Sequence, residues 1–201
     1  MNLTESLMYI GAIQIDTDNM FTWSSGIKSP IYCDNRLTIS YPVIRKEISR
    51  RLARRIQEFP GHVDVIAGCA TAGIPHAAWV AEELGLPMVY VRGSKKSHGK
   101  ENLIEGVVKE DQHAVVIEDL ISTGASSIHA ANVLREKGVQ IEGVLSIFTY
   151  ELSRAYDAFE NEKLNFDSLL NYSDLIEALP LDEESRKILE KWREDMNEPV
   201  D

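Results

Sequence analysis

Between Val63 and Thr149 short apolar runs alternate with helix-like segments, and no other feature of the 201-residue chain restricts its fold as strongly. The runs are "VDVIAG", "LPMVYVR", "HAVVIED" and "IEGVLSIFTY", with "GIPHAAWVAEELG" and "STGASSIHAANVLREKG" between them. Continuous Val/Ile-rich runs leave no polar face to turn to water. Alternating with helices of period 3.6, they imply a parallel sheet covered on both faces. The expected fold class is α/β. Gly85 and Gly138 fall where each helix must stop, as residues that adopt the left-handed conformation do.

Ahead of this core, Tyr41 to Phe59 reads as a helix: Ile44, Ile48, Leu52 and Ile56 recur every four residues, and Arg45, Lys46, Arg50, Arg51, Arg54 and Arg55 cover the other faces. A solvated exterior accounts for these cations better than an RNA-binding face. "DEESRKILEKWRED" at 182 to 195 reads as a terminal helix with Asp182 as its N-cap. The first 40 residues and those from about Glu151 onward are additions flanking the core.

Charge and composition exclude several classes. With 32 acidic against 21 basic residues the net charge is −11, so the molecule repels nucleic acid and anionic membranes, and any anionic ligand needs a local cluster. "MNLTESLMYIGAIQID" lacks the basic flank and apolar run of a signal peptide, and no segment reaches the roughly 18 apolar residues of a membrane helix. Cys33 and Cys69 lack a CxxC spacing, which fits reduced thiols and a cytoplasmic location. The five histidines show no HxxxH pair, so no transition-metal site held by the protein is expected.

The stretch "VVIEDLISTGASS" carries the chemistry. A parallel strand ending at Glu118 and Asp119 delivers both acids to the crevice where open α/β sheets bind ligands. The loop that follows runs straight into a helix. Its N–H groups, with the hydroxyls of Ser122, Thr123 and Ser126, can ring an anion at a helix N-terminus, and Gly124 permits close approach. Carboxylates beside a phosphate cradle suit a sugar phosphate. An ordinary capped βα turn remains the plain alternative. "GCATAG" at 68 to 73 continues Ile-Pro where a P-loop needs Lys-Ser/Thr, and no GxGxxG is present, so neither common nucleotide fingerprint applies. The 92 to 106 segment, with Arg92, Lys95, Lys96, His98 and Lys100 among glycines, is too polar to pack and has the profile of a mobile lid whose cations can meet an anion; a solvated surface loop is the alternative.

"VVIEDLISTGAS" resembles the phosphoribosyl pyrophosphate (PRPP) motif of the type I phosphoribosyltransferases. "FTWSSGIKSPIYCDNR", "VIAGCATAGIPHAA", "YVRGSKKSHGKENLIEG" and "IFTYEL" extend the similarity over nearly the whole chain, toward the orotate phosphoribosyltransferases. The resemblance implies one domain over 1–201, with a core at about 60–150 and a hood with flanking helices at about 1–59 and 151–201. It implies transfer of a phosphoribosyl group from PRPP to orotate, with Mg²⁺ as cofactor bound through substrate oxygens and a homodimer that shares lid residues. Residue by residue, it assigns Glu118, Asp119, Leu120, Ile121, Ser122, Thr123, Gly124, Ala125 and Ser126 to PRPP, and Ala70, Thr71, Ala72 and Gly73 to a pyrophosphate loop. Arg92, Lys96, His98 and Asp119 become the catalytic set. Ser122 is placed near orotate, with Lys28, Arg36 and Arg154 as candidates for its carboxylate. Three departures stand out: Gly93 and Ser24 occupy positions where some relatives carry Lys, and the Arg that many relatives carry after the last core strand has no clear match within "FTYELSRA". Two other readings stay open, a phosphoribosyltransferase for another base and a PRPP-sensing regulator without turnover.

Overall fold

The computed structural model describes residues 2–23, 26–94 and 102–198. In chain order these form α1 (Leu3–Tyr9), β1 (Ile13–Ile15), β2 (Phe21–Thr22), β3 (Lys28–Ser29), β4 (Ile31–Cys33), a 3₁₀ segment (Asn35–Ser40) and α2 (Pro42–Gln57). There follow β5 (Val65–Cys69), α3 (Gly73–Leu84), β6 (Met88–Val91), β7 (Ile104–Glu105), β8 (His113–Ile121), α4 (Ala125–Arg135) and β9 (Gln140–Thr149). The chain closes with α5 (Ser153–Asn161), β10 (Phe166–Asn171), α6 (Tyr172–Ala178) and α7 (Glu183–Asn197).

Six strands make the central sheet in the order β10-β9-β8-β5-β6-β7. All neighbours run parallel except β7, which pairs antiparallel with β6. Alternate residues of the buried strands feed two separate cores. Ile66, Val115 and Ile117 point to one, with Ile48, Leu52 and Ile56 of α2 and Ala77 and Val80 of α3. Ala67, Ala114 and Val116 point to the other, with Ala130, Ala131 and Leu134 of α4 and Phe159 of α5. This is the two-sided burial implied by strands without a polar face. α2 starts at Pro42, whose fixed φ suits a first helical position, and buries the face predicted for it. Gly85 and Gly138 are left-handed, at φ 65° and 75°. The Asp182 side chain accepts the Ser185 N–H at 2.7 Å, the capping expected for α7.

Two features depart from the expected layout. β10 adds a parallel edge strand to the sheet from beyond the 60–150 span, and β7 lies inside the 92 to 106 segment, for which the sequence pattern implies a loop throughout. Both are short edge elements with one pairing partner, so neither needs the continuous apolar run that marks a central strand.

Apart from α5, whose Ala155 and Phe159 enter the α4-side core, the terminal additions pack on the α2–α3 side. Leu3, Leu7, Tyr172, Leu175, Leu189 and Trp192 all enter that core. Trp192 donates its Nε1–H to the Lys28 carbonyl at 2.8 Å and meets Trp23 edge-on, while Trp23 packs against Tyr150 at 4.8 Å between ring centroids. The β2–β3 hairpin is thereby pinned to the end of β9 and to α7, two segments remote in sequence. Among the described residues no helix is long and apolar enough to cross a membrane, and both cysteines are free and buried.

Candidate active site

The acidic pair owes its place to an uneven sheet edge. The last registered pair between β5 and β8 is Gly68 with Ile117, yet β8 continues to Ile121 beside β9. The expectation that the strand itself ends at the acids is therefore corrected: its pairing with β5 stops at Ile117, and Glu118 and Asp119 stand beyond the last pair, at the carboxyl edge where α/β crevices open. Glu118 is 6% exposed and Asp119 half-buried. Glu118 Oε1 accepts the Asp119 N–H at 3.0 Å, and the Cys69 thiol lies against the Glu118 carboxyl. Burial pushes Glu118 up to about 8, and the neighbouring Asp119 charge adds to it. Burial also raises Asp119, opposed by its hydrogen bond with Glu118 and by the Arg36 charge. Adjacent acids in a crevice that shields them from solvent hold protons more tightly than free carboxyls do. Donors arriving with a ligand favour the ionised form.

Two helix N-termini flank the pair. α3 begins after Ala72 and α4 after Gly124, and neither has a side-chain cap, whereas Asn2, Asn171 and Asp182 cap α1, α6 and α7. In α3 the Ile74 N–H already donates to the Thr71 carbonyl at 3.3 Å and Pro75 has no N–H, so Gly73 is the first-turn donor left for an anion, whereas α4 offers the N–H groups of Ala125, Ser126 and Ser127; the helix dipole also favours an anion at both ends. Close packing fixes both loops. A Cβ on Gly73 would fall 2.4 Å from the Ile117 carbonyl oxygen and 3.3 Å from Glu118 Cα, so the loop Ala70, Thr71, Ala72, Gly73 lies directly against the acids. Gly124 has φ 78°, and a Cβ there would fall 2.5 Å from Phe159 Cε2.

Among the described residues the hydroxyls of Ser122, Thr123 and Ser126 make no hydrogen bond, and Ser126 and Ala125 are exposed at the start of α4. Leu120 and Ile121 are different. They pair with Phe148 and Thr149 in the sheet, and Ile121 is buried in the α4-side core. Of the 120 to 126 run assigned to PRPP, only 122 to 126 forms the loop and helix start that can ring an anion.

Arg92 follows β6 and enters the same region. Its N–H donates to the Leu103 carbonyl at 2.8 Å, and Ala70 N–H donates to Val91 at 2.9 Å, so the two loops are tied together. Arg92 Nη1 lies 3.8 Å from Glu105 Oε1 and, although buried, makes no hydrogen bond among the described residues. With Cys69, Ala70, Ser126 and His129, Arg92 lines a cleft of about 250 Å³. His129, one turn after Ser126 on α4, was not singled out in the sequence. Lys95, Lys96, His98 and Lys100, and with them the lid reading, lie outside the described residues, as do Ser24 and Ser25.

The three candidates for a carboxylate partner sit differently. Lys28 is exposed on the hairpin. Arg36 is held by Asp34 through bonds of 2.6 and 2.8 Å, and its charge acts on Asp119. Arg154 is in the first turn of α5 after β9, half-buried, and its Nε is buried without a partner among the described residues. One contact had no signal in the sequence: Asn35 Nδ2 donates to the Asp119 carbonyl at 2.7 Å across 84 residues.

A parallel sheet with an acid pair at its carboxyl edge, between two uncapped helix N-termini, is the arrangement of a phosphoribosyltransferase. The family described as "Phosphoribosyl transferase domain" matches residues 40–159. Orotate phosphoribosyltransferase of Fusobacterium nucleatum is 48% identical over 96% of this chain and 95% of its own length. That of Malacoplasma penetrans is 52% identical over 98% and 97%. The crystal structure of the Aeropyrum pernix orotate phosphoribosyltransferase superposes with a TM-score of 0.77 at 26% identity, covering 88% of this chain and 97% of that one. The chain belongs to the orotate phosphoribosyltransferase family.

Proposed function

We propose that this protein transfers the 5-phosphoribosyl group from PRPP to orotate, giving orotidine 5′-monophosphate and pyrophosphate in UMP synthesis. The observation that carries the reading is the acid pair standing between the free N-termini of α3 and α4. Glu118 and Asp119 accept hydrogen bonds from the ribose hydroxyls, and their charge favours the cationic sugar as the bond to pyrophosphate breaks. The 122 to 126 loop and the first turn of α4 hold the 5′-phosphate, and Ala70 to Gly73 the pyrophosphate. Arg92, joined by Lys96 and His98, takes up the charge that grows on the leaving pyrophosphate.

Orotate lies under the hood near Ser122. Arg154 is the favoured partner for its carboxylate, because its buried Nε lacks one while Arg36 is already paired. Mg²⁺ supplies charge neutralisation on the phosphates. The two adjacent carboxyls of Glu118 and Asp119 are a donor set that fits an ion held mainly through PRPP oxygens. The enzyme works in the cytoplasm as a homodimer whose lid residues are shared between sites.

The test is the ultraviolet absorbance of orotate mixed with PRPP, Mg²⁺ and the protein, with adenine, hypoxanthine and uracil as parallel acceptors followed by pyrophosphate release. Loss of the orotate signal only in complete mixtures is expected. Turnover with another base alone transfers the reading to that base. PRPP binding without any turnover makes the protein a sensor.

A further inference from the structure

Asp119 is held by side chains at both of its main-chain polar groups. Its N–H goes to Glu118 Oε1 and its carbonyl to Asn35 Nδ2, and the β8–β9 register passes from Glu118 to Leu120 without it. β5 has ended at this level, so a residue from outside the sheet supplies the donor. Asn35 is fully buried, and its amide orientation is fixed, since the flipped form would set two oxygens 2.7 Å apart.

The segment that carries Asn35 is anchored a second time. Thr38 Oγ1 donates to the Asn35 carbonyl at 2.6 Å and lies 3.4 Å from His76 Nε2 on α3. With its hydrogen committed to Asn35, the Thr38 hydroxyl accepts from His76, which sets the Nε2–H tautomer; Nδ1 is the ring atom left without a partner. Asn35, Thr38 and His76 are all fully buried. They run from the carbonyl of Asp119 to the helix whose N-terminus is the Ala70 to Gly73 loop.

We propose that Asn35 is a positioning residue that aims the Asp119 carboxylate at the sugar, and that the Asn35–Thr38–His76 chain fixes this aim relative to the pyrophosphate loop. The inference rests on the reading of Asp119 as a ribose-binding acid. An amide donor lost from a buried carbonyl leaves that carbonyl unsatisfied, so the main chain turns to find another partner and the carboxylate moves with it.

The experiment is a double-mutant cycle on the affinity for Mg²⁺-PRPP, measured by calorimetry with Asn35→Ala and the similarly shaped Asn35→Asp, each alone and with Asp119→Asn, and with urea unfolding run on every variant. Asn35→Ala is expected to weaken binding about tenfold in the native background and less than about twofold once the Asp119 carboxylate is gone. A general loosening of the fold would instead reduce affinity by the same factor in both backgrounds, and that result overturns the proposal. So does full affinity in either Asn35 variant, or failure of both to fold, which would make Asn35 purely structural. If Asp119→Asn alone leaves Mg²⁺-PRPP affinity unchanged, it is the ribose assignment that fails, and this inference falls with it.

Discussion

Glu118→Gln tests the electrostatics of the crevice directly. Glu118 is 6% exposed, and its carboxyl rises from an ordinary value of 4.5 to about 8, chiefly through burial. A raised acid pKa means that the folded protein keeps a proton that the unfolded chain releases between those two values. Stability contributed by this group is thus present below pH 4.5 and is lost as pH climbs toward 8. At ~1.4 kcal/mol per unit the full span corresponds to about 5 kcal/mol, and about 3 kcal/mol of it has been lost at pH 7. Asp119 shares the titration, so a single substitution recovers roughly half, about 2 kcal/mol near pH 8. Glutamine keeps an oxygen for the Asp119 N–H and removes the charge.

Urea unfolding at pH 5, 6, 7 and 8 is the assay. The two proteins are expected to have similar stability at pH 5, with the variant pulling ahead by about 2 kcal/mol at pH 8, a gain of several degrees in Tm. Mg²⁺-PRPP affinity should fall at the same time, because a neutral amide accepts ribose hydroxyls less well than a carboxylate. A variant less stable than the native protein at pH 8, or a difference that does not change with pH, would refute the argument that the native pair is strained by buried charge.

Gly73→Ala forces a methyl to within 2.4 Å of the Ile117 carbonyl oxygen, a main-chain atom that cannot step aside; a loss of about 1–3 kcal/mol in urea unfolding is expected, with weakened PRPP binding. Lys96→Ala and His98→Ala should each cut kcat on the order of 10²-fold while PRPP affinity changes much less, and equal losses in both quantities would remove their leaving-group role. Mixing an Asp119→Asn protein with a Lys96→Ala protein should restore part of the activity if sites are shared, and no recovery despite subunit exchange would count against a shared lid.

The sheet was legible because its central strands are buried on both faces. β5 is buried at all five positions and β8 at six of nine, so these runs admit no other assignment. β10 was not legible for the opposite reason. "FDSLLN" has no fully buried residue, and it is recruited by pairing along β9 from Val144 to Thr149, a contact that local pattern does not encode. The hood follows the same logic: two- and three-residue strands hold their positions through Trp23, Tyr150 and Trp192, which meet only after the chain has folded.

Within the site, the acids and the glycine-rich loop could be read because their chemistry is concentrated in nine consecutive residues, 118 to 126. Asn35 could not, because a side chain that bonds to a carbonyl 84 residues away leaves no periodicity behind it. Yet the same region collects the atoms that break ordinary folding rules. Arg154 Nε and Asn35 Oδ1 are buried without hydrogen-bond partners among the described residues, Arg92 Nη1 has the Glu105 carboxylate at 3.8 Å but no hydrogen bond, α3 and α4 start without side-chain caps, and two acids adjoin in the crevice. Such groups lower the stability of the protein alone. A polyanionic sugar with free hydroxyls can supply acceptors to the two arginines and the uncapped N–H groups and donors to the acids. On the proposed reading the features that weaken the fold are the ones that bind, and Glu118→Gln should then move stability and PRPP affinity in opposite directions.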